Sequence, residues 1–164
     1  MPKNPRTRIT FGSEAMRLQQ TDKDRESRSS FFLATRMPFL NFDKQSLHGS
    51  LSIMWAPDSQ KKSRSVDIRQ SFLGFFPALS YSYTHLFRYN LSWGAGLWYS
   101  TTKASIQATQ EERNTSLGCL FQKLSLDYAF NDWIETAIHT SIYYRYERAL
   151  LDWSYGLSFN INLN

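Results

Sequence analysis

Residues 134–164 read IETAIHTSIYYRYERALLDWSYGLSFNINLN. Taken by alternate positions, this stretch separates into two sets. Ile134, Thr136, Ile138, Thr140, Ile142, Tyr144 and Tyr146 alternate with Glu135, Ala137, His139, Ser141, Tyr143, Arg145 and Glu147. After a short link, Leu151, Trp153, Tyr155, Leu157, Phe159, Ile161 and Leu163 alternate with Asp152, Ser154, Gly156, Ser158, Asn160 and Asn162. Successive side chains of a strand point to opposite faces, so each run has one apolar and one polar face; a helix would scatter both sets. Both runs also reach the ~9–11 residues a strand needs to cross a bilayer.

Alternation alone does not say which face is inside. A soluble barrel turns its apolar face inward, and a membrane barrel turns it to lipid. Three features favour lipid. The polar face of the last run is Gly, Ser and Asn with one Asp, where a water-facing wall would carry more Lys and Glu. No charge falls on the apolar face of either run. Aromatics on that face gather near the ends, Tyr144, Tyr146, Trp153 and Tyr155 at one and Phe159 towards the other, as in an interfacial girdle.

The hairpin resembles the C-terminal hairpin of small outer-membrane β-barrels of the OmpA-transmembrane-domain and OmpX type. In that family the last strand alternates hydrophobic residues up to a terminal aromatic, which helps the assembly machinery recognise it. Tyr155, Leu157, Phe159, Ile161 and Leu163 follow the alternation, but the chain stops at Asn164 without the aromatic. That departure bears on the assembly signal more than on the fold. The resemblance implies an all-β, up-and-down antiparallel transmembrane barrel of eight strands. It also implies bacterial outer-membrane localisation and contact with membrane lipid, lipopolysaccharide included. The barrel-assembly machinery would be a partner during insertion.

The remaining sequence supplies six further strands, expected at 7–20, 30–42, 47–57, 66–84, 91–102 and 117–130. Polar loops are expected at 21–29, 58–65 and 103–116, the last with room for strand extensions, and short turns at 43–46, 85–90 and 131–133; the final link, 148–150, is short as well. Short turns at one end and longer loops at the other are the asymmetry of an outer-membrane barrel. Two prolines complicate the pattern. A bulge at Pro38 would exchange the faces and with them the facing of Arg36, and a break near Gly74–Pro77 would split the fourth strand. The pattern also weakens at 16–20, as though the first strand leaves the membrane there.

Length and composition fit one domain, 1–164, with 1–6 as a tail. Aromatics are 16% of the 164 residues and charged residues 20%. The negative mean hydropathy does not exclude a membrane barrel, because only alternate residues face lipid. No apolar run is long enough for a transmembrane helix. The basic start MPKNPRTR is not followed by the apolar core of a signal peptide. Either the chain is a mature form with an added Met, or its start is misassigned, or the barrel reading fails. The net charge of +5 comes without a nucleic-acid-binding pattern, so no nucleic-acid partner is expected. The lone Cys119 excludes an internal disulfide, and neither a metal nor a cofactor motif is present.

Parity assigns Arg8, Glu14, Lys123, Asp127, Glu135, His139, Arg145 and Glu147 to the lumen, with Arg36 depending on the bulge. Both signs are represented, so these groups are expected to pair in an interior network, which is what makes buried charge tolerable. The outer face and its girdle are assigned Trp55, Tyr81, Tyr83, Trp93, Tyr99, Tyr128, Phe130, Ile138, Ile142, Tyr144, Trp153, Tyr155 and Phe159. Lys61, Lys62 and Arg64 are candidates for contact with anionic headgroups, against the plainer reading of solvated loop charges.

Three functions compete. The leading one is a monomeric outer-membrane barrel with a structural, adhesive or surface-interaction role and a filled lumen, neither an open pore nor an enzyme. The second is a soluble lipocalin-like barrel carrying an apolar ligand, although the early Gly-x-Trp of that family is absent. The third is a lipid A deacylase-like enzyme, suggested by His139 and Ser141 two apart on a strand. Parity puts both inside, whereas catalysis on lipid needs them outside.

Overall fold

The computed structural model describes residues 6–19, 25–63, 66–106, 109–146 and 150–163. Among these residues eight strands are formed: β1 (Arg8–Gln19), β2 (Arg25–Phe42), β3 (Gln45–Ser63), β4 (Val66–Thr84), β5 (Arg88–Ile106), β6 (Thr109–Ala129), β7 (Ile134–Arg145) and β8 (Leu150–Asn162). Each pairs antiparallel with its sequence neighbours, and β8 pairs with β1 to close the barrel. Closure leaves no sheet edge within the ring, which is how a barrel satisfies every backbone group without water.

The two faces follow the hairpin's alternation. Ile138 is 57% exposed and the next residue, His139, only 5%. A row of register partners, Phe31, Trp55, Leu73 and Tyr99, runs around the outside. One outward position further from the termini, the residues become polar: Ser29, Ser71, Thr101 and Asn114, the last two joined by a hydrogen bond of 2.9 Å. The apolar band therefore ends at that row of aromatics and leucine.

Several boundaries differ from the sequence reading, for one physical reason. Beyond the apolar band both faces are polar, so the period-2 signal vanishes although the strands continue. Residues 25–29 belong to β2 rather than to a loop, and 58–63 belong to β3. Residues 103–106 and 109–116 are β5 and β6, paired with each other, so the strand extensions allowed for in the expected 103–116 loop take up nearly all of it. The turns shrink in the same way: β3 starts at Gln45 and β5 at Arg88.

Both proline problems have local answers. The β2–β3 register shifts between Pro38 and Leu40, leaving Phe39 and Leu40 both exposed. Arg36 lies before that shift, so its facing is unchanged. Pro77 sits on the outer face of an unbroken β4, between the paired positions Phe75 and Ala78. Nor does β1 lose its alternation at 16–19. Met16 and Leu18 are buried inside, so there the inner face has simply become apolar.

The walls differ in height. β7 and β8 are 12 and 13 residues long, whereas β3, β4 and β5 have 19 and β6 has 21. Pairing of β3 with β2 ends at Trp55, and pairing of β6 with β7 begins only at Cys119. Hence β3–β6 rise beyond the apolar band as a four-stranded blade. Among the described residues, its outer strands, 56–63 and 109–118, pair on one side only.

Candidate functional site in the barrel interior

The interior is built in two halves. Towards the loops it is apolar: Met16, Leu18, Phe32, Met54, Phe76, Trp98, Leu117, Cys119 and Tyr143 form one buried cluster. Phe76 lies at its centre, with ring centroids 5.7, 5.3 and 5.6 Å from Trp98, Phe121 and Tyr143. Glycine makes the room. A Cβ at Gly74 or Gly96 would collide with the Phe76 ring, and one at Gly94 with Phe121 and the Pro77 carbonyl.

At the boundary between the halves sits Glu14, 2% exposed. Its carboxylate accepts from Lys123 Nζ at 3.1 Å, Ser154 Oγ at 2.7 Å and Tyr143 OH at 3.2 Å. His139 Nε2 lies 3.1 Å from the same carboxylate. Lys123 Nζ is also 3.8 Å from the centroid of the Phe32 ring, so its charge faces a π-surface on one side and a carboxylate on the other.

Towards the termini the filling is ionic. Arg8 bridges Asp127 and Glu135 and donates to Asn162 at 3.1 Å. Arg88 donates to both oxygens of Glu135, at 2.8 and 2.9 Å. Arg36 donates to Asn90 Oδ1 at 2.7 Å, and Asn90 in turn donates to Ser125. At the opposite, loop end, Arg145 pairs with Asp152 at 2.7 Å.

Of the residues assigned to the lumen, Arg8, Glu14, Arg36, Lys123, Asp127, Glu135, His139 and Arg145 all lie on the inner face, in three groups rather than one network. Glu147 lies outside the described residues. Sequence reasoning missed Arg88 and Asn90, placed in a turn, and Arg28, placed in a loop. Arg28 is buried, donates to Gln70 at 2.8 Å and sits over the Phe72 ring. Extending the period-2 count through those polar stretches would have found all three. On the outside, Trp55, Trp93, Tyr99, Tyr128, Phe130, Ile138, Ile142, Tyr144, Tyr155 and Phe159 are exposed, and Tyr83 is at 36%. Tyr81 and Trp153 are half-buried. Lys61 and Lys62 are in β3 rather than a loop, and Arg64 lies outside the described residues, as do the side chains of both lysines.

His139 and Ser141 both point inward, at 5% and 1% exposure. His139 borders a hollow of about 760 Å³ on the outer face, beside exposed Ile138, Tyr155 and Leu157, but Ser141 does not line it. Among the described residues no group of three or more His, Cys, Asp or Glu side chains is placed to hold a metal ion.

By sequence, no protein-family model matches the chain, and neither does any curated protein. Solved structures do. Ail, the attachment invasion locus protein of Yersinia pestis, superposes with a TM-score of 0.63 at 14% identity over 96% of this chain and 100% of its own. Neisserial surface protein A gives 0.65 at 9% identity, over 96% and 97%. The outer membrane enzyme PagL gives 0.53 at 11% identity, over 95% and 99%. The chain has the fold of the small eight-stranded outer-membrane barrels. That fold hosts enzymes and non-enzymes alike, so chemistry has to be argued from side chains.

Proposed function

We propose that this chain is an integral outer-membrane barrel that acts by contact through its projecting blade and not by transport or catalysis. The observation that carries the reading is the blade: β3–β6 continue past the apolar band, and β6 leaves 109–118 unpaired on one side among the described residues. A long strand edge is the element a solvent-exposed sheet normally hides, and it is what an extended partner segment adds to. The membrane itself is supported by the belt of exposed Phe, Leu, Ile, Trp and Tyr, far larger than a soluble monomer tolerates. The partners are then outer-membrane lipid with lipopolysaccharide, the barrel-assembly machinery during insertion, and a surface ligand at the blade; the protein is monomeric. A lipocalin-like carrier would need the opposite facing of Ile138 and His139.

The blade sequence holds Lys61, Lys62, Arg64, Arg69, Lys103 and Arg113 against Asp58, Asp67, Glu111 and Glu112. Ail has been crystallised with the heparin analogue sucrose octasulfate, which makes heparin a sensible first probe. Bacteria displaying the full chain should attach to immobilised heparin. Replacing Lys61, Lys62, Arg69, Lys103 and Arg113 together by glutamine should abolish attachment while the barrel remains heat-modifiable on gels. Equal attachment by both forms would refute the blade as the contact element. The closed interior predicts no steady conductance in planar bilayers at neutral pH; a stable open-channel current would refute that part.

A further inference from the structure

At the end carrying the termini the barrel opens into a chamber of about 600 Å³. Five cations line it, Arg6, Arg8, Arg36, Lys44 and Arg88, against three carboxylates, Asp43, Asp132 and Glu135. The charge is unevenly shared. On the β1, β5 and β7 side, Arg8 and Arg88 hold Glu135, and Arg8 also holds Asp127 beneath it. The β2–β3 side is different: it carries Arg36 and Lys44 with His48 against one carboxylate, the exposed Asp43 of the turn. Among the described residues, Arg36 makes one side-chain hydrogen bond, to neutral Asn90, and no ion pair. Lys44, in the β2–β3 turn, is exposed; its carbonyl accepts from Thr84 N–H at 2.8 Å, and among the described residues its ammonium makes no ion pair. His48 is 6% exposed; its Nε2 is 2.7 Å from Ser46 Oγ, and its Nδ1 has no partner. A guanidinium held in place with donors to spare, beside an imidazole and a hydroxyl, fits a compact oxyanion.

We propose that the β2–β3 side of this chamber binds a phosphate-type oxyanion, with Arg36 as its principal ligand, Lys44 closing over it, and Ser46 and His48 supplying neutral hydrogen bonds. The volume falls in the usual range for small-ligand sites and easily holds a phosphate with its water. The site does not depend on the blade or on the compartment proposed above. Its oxyanion is either free in solution or carried on a phospholipid headgroup at the nearby membrane face.

The test is a titration of the folded barrel in a neutral detergent with inorganic phosphate, at ionic strength held constant with chloride, read by isothermal calorimetry and by the thermal unfolding midpoint. Saturable binding that raises the midpoint is expected. Arg36→Gln should weaken it about tenfold or more, the loss of a charged hydrogen bond. Lys44→Gln, at an exposed turn, should keep the fold and weaken binding by a smaller factor. Arg69→Gln, in the blade, should change nothing. Binding seen only after a short-chain phosphatidic acid is added to the micelle, with the same variant order, assigns the oxyanion to a headgroup. No saturable response to either probe overturns the site, as does a response that neither Arg36→Gln nor Lys44→Gln reduces.

Discussion

The loop-ward half of the barrel is filled by rings, and the half facing the termini by ions. Phe76, Trp98, Phe121 and Tyr143 close the first by packing edge to face over glycines. Arg8, Asp127, Glu135 and Arg88 close the second by pairing. A narrow barrel has to be filled one way or the other, because its bore is only about as wide as its side chains. The two fillings fail differently. Phe76 or Phe121 removed from the first leaves a void and nothing worse. One member of an ion pair removed from the second leaves a charge in a poorly polarisable space, which costs more than the pair contributed.

Glu14, where the halves meet, is the position at which that contrast is sharpest. Glu14→Ala strands the Lys123 ammonium and the Ser154 and Tyr143 hydroxyls together. It should destabilise the barrel by about 3–5 kcal/mol, measured by urea unfolding in liposomes. The double variant Glu14→Gln with Lys123→Gln should recover much of the loss, since no charge is left unpaired. A single-variant cost below about 1 kcal/mol would mean that water reaches Lys123 and that the ionic half is not sealed.

Phe76→Ala should cost somewhat less, about 3–4 kcal/mol, because it removes packing without orphaning a polar group. It should also lengthen any transient openings in a planar bilayer, as the void lies among the rings that fill this half. If Phe76→Ala proves costlier than Glu14→Ala, the ring-filled half is the one holding the barrel together.

The same contrast explains what the sequence made readable. The C-terminal hairpin reads cleanly because β7 and β8 carry polar residues inside and apolar ones outside along nearly their whole length. Glu135 and His139 can be assigned inward by parity for that reason, and Glu14, Lys123 and Asp127 because β1 and β6 alternate in the same way around them. The ring-filled half blurs the signal. Met16, Leu18, Phe32 and Phe76 are as apolar as the residues facing out, so the two faces stop differing and β1 looks as though it ends. The blade blurs it from the opposite direction, with Lys103, Glu111, Glu112 and Arg113 making both faces polar. Parity also names inner residues without saying which will meet. That Glu14 joins Lys123, 109 positions away, follows from barrel closure and register, neither of which is written locally.

Ile138 and His139 carry the comparison through the wall itself. They are consecutive on β7, one exposed and the other sealed beside Glu14. Ile138→Arg places a charge against lipid and should cost roughly 2–4 kcal/mol if the residue lies near the midplane. His139→Gln keeps a side-chain amide able to donate to Glu14 and should cost less. Unfolding titrations in liposomes order the two, and the reverse order would mean that the outer face of β7 is not against lipid.

The smallest effect is expected in the blade. Lys103 and Glu112 are register partners on β5 and β6, with Nζ 3.4 Å from the carboxylate and more than half of each side chain exposed. Water screens such a pair, and holding two long side chains together costs entropy, so its contribution is about 0–1 kcal/mol. Lys103→Gln should therefore move the unfolding midpoint hardly at all, and the small difference should shrink further in high salt. Among the described residues the outer edges of the blade have no partner strand, so its tip should open without the barrel below. Amide hydrogen exchange at 103–106 and 109–112 should then be much faster than in β7 and should quicken slightly in Lys103→Gln, while exchange in β7 stays unchanged. A stability loss above roughly 2 kcal/mol, or a parallel change in β7, would show that the blade and the barrel unfold as one cooperative unit.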